Sequence, residues 1–104
     1  MEGAYHGSYD HFYTSLKPAP DNWGPADAPA TVPATEGLSP VITDEVLVLP
    51  ANDVEVTRAL LLNHADELAC VVMDPLVSYM GFLQISPEYL QMVRQVVLKM
   101  LNGY

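Results

Sequence analysis

The sequence predicts an α/β fold built around one strand–helix–strand unit. Residues 46–49 are a short apolar run stopped by Pro50, and residues 68–73 are a second apolar run that ends at Asp74-Pro75. The residues between the two runs have the caps and periodicity of a helix. Strand, helix and strand together cover roughly 30 residues, which is the size of one right-handed βαβ unit.

The first 40 residues predict two different kinds of structure. Residues 1–16 favour a short amphipathic helix after Gly7, because large apolar side chains recur at spacings of three and four: Tyr5, Tyr9, Phe12, Tyr13 and Leu16. Residues 17–40 hold six of the nine prolines. A stretch so rich in proline can form neither a helix nor a central strand, so we predict a long surface loop of the mobile-lid or linker type.

The region from residue 41 to residue 104 contains two helix signals. Asn52 is a candidate cap with Glu55 as its capping-box partner, which predicts a helix that runs to about Asn63. Ser86 and Pro87 are a cap followed by a proline at the first helical position. The second helix carries an apolar stripe, which requires a sheet to cover it, and Gly103 is a reasonable end: the stripe is Leu90, Val93, Val97, Met100 and Leu101, with Val96 beside it.

Composition restricts the possible partners and compartment. The net charge is -9, from four basic and 13 acidic residues, which argues against nucleic acid and anionic membrane surfaces because both need a basic footprint. No apolar run approaches the roughly 18 residues of a membrane helix, and the amino terminus does not resemble a signal peptide. The single cysteine, Cys70, lies in the second apolar run and is predicted to be a buried thiol. These features predict a cytoplasmic protein.

Few residues have the spacing of a chemical site. His6, Asp10 and His11 are close in sequence, but the two histidines are five residues apart and would lie on different sides of a helix, so we predict no metal site. No nucleophile motif or phosphate loop is present, and we assign no catalytic residue. Asp74 is different, because a carboxylate directly after a buried strand lies at the sheet edge where α/β enzymes bind ligands.

Three motifs, in order along nearly the whole chain, carry a family resemblance. Residues 2–7 (Glu-Gly-Ala-Tyr-His-Gly) resemble the Glu-Gly-x-Tyr-His-Gly of class-III aminotransferases, nearest the glutamate-1-semialdehyde 2,1-aminomutase branch. Residues 50–53 (Pro-Ala-Asn-Asp) are similar to that branch's Pro-Tyr-Asn-Asp. Residues 74–81 (Asp-Pro-Leu-Val-Ser-Tyr-Met-Gly) are similar to its Glu-Pro-Val-x-Gly-Asn-Met-Gly. Their common order and segment lengths make the resemblance specific.

The resemblance implies that residues 1–104 are an internal part of the large domain of a fold-type-I pyridoxal-phosphate enzyme. The cofactor would be pyridoxal 5'-phosphate, and the partner a second copy in a homodimer or a full-length aminotransferase chain. Tyr5 would stack on the cofactor ring, with His6 and Gly7 beside it. Asp74 would take the place of the active-site glutamate, and residues 17–40 would be a gating loop.

The sequence departs from the family at two cofactor-facing positions. The glutamate is shortened to Asp74 and an asparagine becomes Tyr79, which affects how the site would reach its substrate. Neither Lys17 nor Lys99 has the sequence context of the family's Schiff-base lysine. By the same resemblance, the pyridine-binding aspartate and the phosphate cradle fall outside these residues. We therefore expect that this chain, taken alone, neither holds the cofactor nor catalyses amino-group transfer.

Two other interpretations stay open at this point. The chain could be a non-catalytic interaction protein that docks on a full-length relative, because two strands cannot cover their own helices. It could also be a self-sufficient small acidic domain of unrelated function.

Overall fold

Three α-helices and one short hairpin make up the regular structure of the computed structural model, which describes residues 1–103. The helices are α1 (Pro40–Glu45), α2 (Val54–Asn63) and α3 (Pro87–Leu101). The hairpin pairs β1 (Leu76–Val77) with β2 (Leu83–Gln84) in antiparallel register, Leu76 opposite Gln84 and Val77 opposite Leu83. Single 3₁₀ turns lie at Asp10–Phe12, Pro20–Asn22 and Ser78–Met80. No helix within residues 1–103 combines the length and apolar character needed to cross a membrane.

Helices α2 and α3 form where the sequence predicted them. Ser86 caps α3, its side-chain oxygen accepting a hydrogen bond from the backbone N–H of Tyr89 at 3.2 Å. The cap of α2 is Asp53, which accepts from the N–H of Val56 at 3.1 Å, and not Asn52 as predicted. Sequence signals place an N-cap to within about one residue, because neighbouring Asn and Asp side chains are equally capable acceptors.

Asn52 instead joins the start of α2 to the start of α3. Its backbone is in the left-handed region with φ 60°, which Asn tolerates better than most residues. Its side-chain amide donates to the carbonyl of Gln84 at 3.1 Å, and its carbonyl oxygen accepts from the N–H of Ser86 at 2.8 Å. Two hydrogen bonds across 32 and 34 residues of sequence therefore fix how the two helix starts lie.

The core lies between α2 and α3 and is closed by residues before and between them. The residues buried there are Ala4, Leu49, Leu60, Leu61, Val77, Ile85, Tyr89, Met92, Val93 and Val96. The buried stripe of α3 is thus rotated by about one residue from the predicted one, and Leu101 is 76% exposed. The reason is that α3 packs against α2 and the hairpin, whereas the predicted stripe assumed a broad sheet.

The predicted βαβ unit is not formed by residues 1–103. The predicted class, a partial α/β domain in which helices pack with strands, is confirmed. Residues 46–50 and 70–74 run without turn or bend, as strands do, but neither run pairs with another strand. A strand needs ladder hydrogen bonds to a neighbour. Residues 45–49 and 67–72 instead line a groove of about 440 Å³ and do not pair with each other. As a consequence Cys70, predicted to be buried in a central strand, is exposed.

The N-terminal segment also differs from its prediction. In place of an amphipathic helix after Gly7 there is one 3₁₀ turn at Asp10–Phe12. The chain then pairs with the proline-rich segment: the N–H of Ser15 donates to the carbonyl of Val32 at 2.6 Å, and Thr14 forms an isolated bridge with Pro33. These tertiary bonds override the helical spacing of the aromatic residues. Residues 17–39 otherwise form the long loop predicted for 17–40.

Two elements were not predicted. Helix α1 begins at Ser39-Pro40, the same cap-and-proline signal that marks α3. The β1–β2 hairpin turns through Gly81 and Phe82, whose φ angles of 72° and 62° are both left-handed. A left-handed backbone is sterically unfavourable for Phe82, so Gly81 is the one turn signal that the sequence offers here.

A buried polar cluster holds α2 against α3. The Thr57 and Tyr89 side chains are both 0% exposed. The Tyr89 hydroxyl donates to the Pro50 carbonyl at 3.0 Å, the Thr57 hydroxyl donates to the same carbonyl at 3.3 Å, and the two hydroxyl oxygens are 3.0 Å apart. Each of the two hydroxyls has one proton to donate, so only two of these three contacts are hydrogen bonds at any one time. Burial raises the pKa of the Tyr89 hydroxyl, while the hydrogen bond to Thr57 opposes that shift.

We predict that Tyr89→Phe and Thr57→Val each lower the free energy of unfolding by about 1 kcal/mol, because one donor to the Pro50 carbonyl survives in each variant. The double variant removes both donors and is expected to cost more than the sum of the single changes. Urea denaturation measures this. Tyr9→Phe is the control, since Tyr9 is 63% exposed; strictly additive losses would contradict the shared-carbonyl arrangement.

Candidate functional site

An aromatic pair marks the place where the N-terminal motif meets the hairpin. The rings of Tyr5 and Tyr79 are stacked, with centroids 5.7 Å apart and an interplanar angle of 25°. Both remain partly open to solvent, Tyr5 by 44% and Tyr79 by 45%. The ammonium of Lys17 lies 4.6 Å from the centroid of the Tyr79 ring, a cation–π contact. The three side chains form an exposed platform with one positive charge.

Gly3 explains why Tyr5 reaches this position. Its φ of 75° is left-handed, and a Cβ on this residue would collide with the side chain of Met80. The Gly3 N–H donates to the carbonyl of Ser15 at 2.8 Å. The backbone of the first motif can therefore lie directly on the 3₁₀ turn Ser78–Met80, which carries Tyr79.

His6 is the most perturbed side chain of the site. Its Nε2 is buried and has no hydrogen-bond partner, and its ring lies edge-on to Phe12 at 6.0 Å. Burial lowers the pKa of His6 below its ordinary value, the ammonium of Met1 lowers it further, and the negative charge of Asp74 raises it. The imidazole is therefore biased toward its neutral form, in which one nitrogen is free to accept a hydrogen bond.

Asp74 ends the straight run 70–73 and turns the chain into β1. One of its carboxylate oxygens accepts a hydrogen bond from the N–H of Leu76 at 3.0 Å. The side chain is half-buried and lies within electrostatic reach of His6. Asp74 thus has one oxygen committed to the turn and one oxygen available.

The structure brings the sequence-predicted residues together. Tyr5 stacks on Tyr79, and the negative charge of Asp74 raises the pKa of His6. Gly7 follows His6 directly with φ 97°, a left-handed value that glycine adopts without strain. Lys17 was placed at the start of the loop with no part in the site. Its contact with Tyr79 crosses 62 residues of sequence, so no local pattern could have indicated it.

His11 makes a contact that does not involve His6. The Nε2 of His11 is 2.6 Å from a carboxylate oxygen of Glu45, which ties the first 3₁₀ turn to α1. Asp10 takes no part in that contact. Within residues 1–103 no group of three or more His, Cys, Asp or Glu side chains is arranged to hold a metal ion.

Comparison with known proteins places the chain beside aminomutases and transaminases. No protein-family model matches it. It is 30% identical over 96 residues to the glutamate-1-semialdehyde 2,1-aminomutase of Persephonella marina and 32% identical over 94 residues to that of Thermodesulfovibrio yellowstonii. These matches cover 92% and 90% of this chain.

Solved structures give the same result. An omega-transaminase from Sphaerobacter thermophilus superposes with a TM-score of 0.81 at 36% identity over 95% of this chain. A transaminase with PLP bound superposes with a TM-score of 0.74 at 33% identity over 92% of it. The backbone of at least 92% of this chain therefore follows that of a transaminase segment, and the predicted resemblance is confirmed.

The chain spans only about a fifth of the length of these relatives. The matched share is 21% and 20% of the two aminomutases and 22% and 21% of the two transaminases. What the whole enzymes do therefore involves many residues that the match does not include.

The charge of Asp74 acts on His6, which gives a testable titration. We predict that the His6 imidazole titrates below its ordinary pKa of about 6.5, and that Asp74→Asn lowers this pKa further by removing the charge that raises it. The depressed pKa means that the unfolded chain binds more protons, so His6 makes the fold less stable as the pH falls through about 6.5. The ring Hε1 chemical shift of His6, followed by NMR against pH, measures the pKa.

Asp66→Asn is the matched control, because Asp66 is exposed and does not contribute to the shift of His6. An unchanged His6 titration in Asp74→Asn would show that the carboxylate does not act on the imidazole.

Proposed function

We propose that this chain supplies the ring-facing wall of a pyridoxal-phosphate-dependent class-III aminotransferase or aminomutase. The observation that carries the proposal is the stacking of Tyr5 on Tyr79, next to His6, whose buried Nε2 has no partner and on which the charge of Asp74 acts, from segments about 70 residues apart in sequence. In the proposed role Tyr5 stacks on the cofactor ring. His6 and Asp74 offer an imidazole nitrogen and a carboxylate oxygen to polar groups beside it.

The residues present fit a planar, polar ring. Tyr5 keeps nearly half of its surface exposed although Tyr79 stacks on it, so aromatic area is available for a second ring. The buried, unpartnered Nε2 of His6 is a hydrogen-bonding group that still lacks a partner. Pyridoxal phosphate, when bound, supplies the electron sink for amino-group chemistry. The residues of this chain supply stacking and orientation.

Tyr79 narrows the site relative to the resembled family, in which an asparagine stands at this position. The phenol occupies part of the surface beside Tyr5, and Lys17 covers the ring of Tyr79 with a positive charge. We propose that residues 17–40 act as the loop bordering the site, because their first residue, Lys17, makes this contact. The substrate would then meet a bulkier and more basic border than an asparagine provides.

We further propose that amino-group transfer requires a lysine from outside these residues. The two lysines are Lys17 and Lys99. Lys17 lies over Tyr79, and Lys99 is in the last turn of α3. The complementary part of a transaminase chain is the proposed partner, and exposed side chains of the hairpin region offer it an apolar surface: Leu76, Tyr79, Met80 and Phe82.

The chain alone is expected to show no specific lysine adduct with pyridoxal phosphate. At equimolar cofactor, borohydride reduction followed by peptide mapping should label Lys17 and Lys99 no more than it labels a free lysine side chain such as that of N-acetyl-lysine. Lys17→Arg and Lys99→Arg identify the labelled position. Stoichiometric labelling of one lysine, lost in the corresponding variant, would overturn the proposed need for an outside lysine.

The stacking role of Tyr5 can be tested in a chimera. The matched segment of the Sphaerobacter thermophilus omega-transaminase is replaced by this chain, and the dissociation constant for pyridoxal phosphate is measured. Tyr5→Ala should weaken binding about two- to tenfold, the range expected for one aromatic stack, whereas Tyr5→Phe should leave it nearly unchanged.

Tyr9→Ala is the control, because Tyr9 is an exposed aromatic residue of the same segment that stacks on His11. Equal weakening by Tyr5→Ala and Tyr9→Ala would contradict a specific stack, as would a chimera that folds and does not bind the cofactor.

A further inference from the structure

The two legs of the proline-rich loop border a pocket beside Tyr79. Its volume is about 280 Å³, with Tyr13 and Leu16 on the leg that enters the loop and residues 32–34 on the leg that leaves it. Lys17 and Tyr79, the partners of the cation–π contact, line the pocket as well. We infer that this pocket binds a small monocarboxylate with a compact apolar body. The inference concerns this chain by itself and does not rest on the proposed function.

The charge of the pocket favours an anionic ligand. Lys17 is one of only four basic residues in a chain that has 13 acidic ones. None of the described residues that line the pocket is Asp or Glu. The Lys17 ammonium makes no ion pair with any residue in the range 1–103, and its contact with Tyr79 leaves it able to donate hydrogen bonds. A carboxylate would supply the partner that this ammonium lacks.

The scarcity of other donors favours a carboxylate over a phosphate. Two of the lining residues are prolines, which have no backbone N–H. The N–H of Val32 already donates to the side-chain oxygen of Ser15 at 3.0 Å, and the N–H of Ala34 donates to the carbonyl of Tyr13 at 3.0 Å. A phosphate carries up to two charges and three strong acceptor oxygens, so it needs several donors to replace its water. One ammonium is enough for a singly charged carboxylate.

Hydrogen bonds fix the walls of the pocket before a ligand binds. Ser15 joins the two legs of the loop: its N–H donates to the carbonyl of Val32 at 2.6 Å, and its hydroxyl donates to the carbonyl of Ala30 at 3.0 Å. Ser15 is only 1% exposed, which shields these bonds from water. The indole N–H of Trp23 donates to the carbonyl of Pro18 at 2.9 Å and restrains the start of the loop. A preformed pocket requires little ordering when a ligand binds.

The size and lining of the pocket indicate a ligand with one ring. Pockets for drug-sized molecules have volumes of about 300–1,000 Å³, so this pocket suits a smaller molecule. Leu16, Val32 and Pro33 offer apolar surface, and the rings of Tyr13 and Tyr79 offer aromatic surface. A phenyl ring joined to a carboxylate by one or two carbons combines the apolar body and the charge that the pocket would take.

Titration of the intact chain with phenylacetate tests the inference. Backbone amide signals in NMR should shift for residues 13–17, 32–34 and 79 and should reach saturation. Shifts centred on another part of the chain would overturn the inference. So would a dissociation constant well above about 10 mM, because a ligand of this size in a preformed pocket is expected to bind at least that tightly.

Three further probes separate charge from shape. Phenylacetamide has the same shape without the charge and should bind about three- to fivefold more weakly, the range expected for one exposed charge pair. Acetate and inorganic phosphate lack the ring and should bind about tenfold more weakly or less. Equal binding of phenylacetate and phenylacetamide would show a pocket for apolar groups alone. Phosphate that binds as tightly as phenylacetate would show a general anion site, and either result would overturn the inference.

Variants of Lys17 give an independent test. Lys17→Gln should weaken phenylacetate about three- to fivefold and leave phenylacetamide unchanged, whereas Lys17→Arg should preserve the preference for the carboxylate. Lys17 is exposed, so these changes do not disturb the core. Arg94→Gln is the matched control, because Arg94 is an exposed cation on α3 and does not line the pocket. Equal weakening by Lys17→Gln and Arg94→Gln would reflect net charge alone and would overturn the inference.

Discussion

The carbonyl of Pro50 is the contact on which the rest of the structure depends. It accepts from the hydroxyls of Thr57 in α2 and Tyr89 in α3, so one acceptor fixes both helices. Pro50 also ends the straight run of residues 46–49, and Leu49, next to it, is part of the core. A buried hydroxyl without a partner costs about 1–3 kcal/mol, which makes this joint specific as well as stabilising. The packing of α2 on α3 thereby fixes the direction of the straight run of residues 46–49.

The hairpin connects the candidate site to this hydrogen-bonded cluster of Pro50, Thr57 and Tyr89. Val77 and Ile85 are core residues packed with Tyr89, and the N–H of Ile85 donates to the carbonyl of Pro75 at 3.0 Å. Asp74 precedes this clamp and the 3₁₀ turn that carries Tyr79 follows Val77. Tyr5 then reaches Tyr79 because Gly3 lets the backbone lie against Met80. The site is therefore built from irregular segments that are held by a small, well-paired core.

The sequence predicted correctly those elements whose signals lie within a few residues. It did not predict the elements whose structure depends on pairing with a distant segment. The Ser86-Pro87 cap placed α3, and the run of prolines placed the long loop, because caps and φ restrictions act within a few residues. The grouping of Tyr5, His6, Asp74 and Tyr79 was available only through the family motifs, since nothing local links residue 5 to residue 79. Lys17 could not be found at all by local pattern. The apolar runs at 46–49 and 68–73 have the composition of strands, but composition cannot supply the neighbour that a ladder needs.

The groove and the site are connected through one stretch of backbone. Residues 67–72 line the groove, and Asp74 lies two residues further along the chain. On the opposite side, the Glu2–Leu49 hydrogen bond links the groove to the segment that carries Tyr5 and His6. The candidate site therefore takes its two parts from backbone that borders this groove: the N-terminal segment on one side and the run before Asp74 on the other.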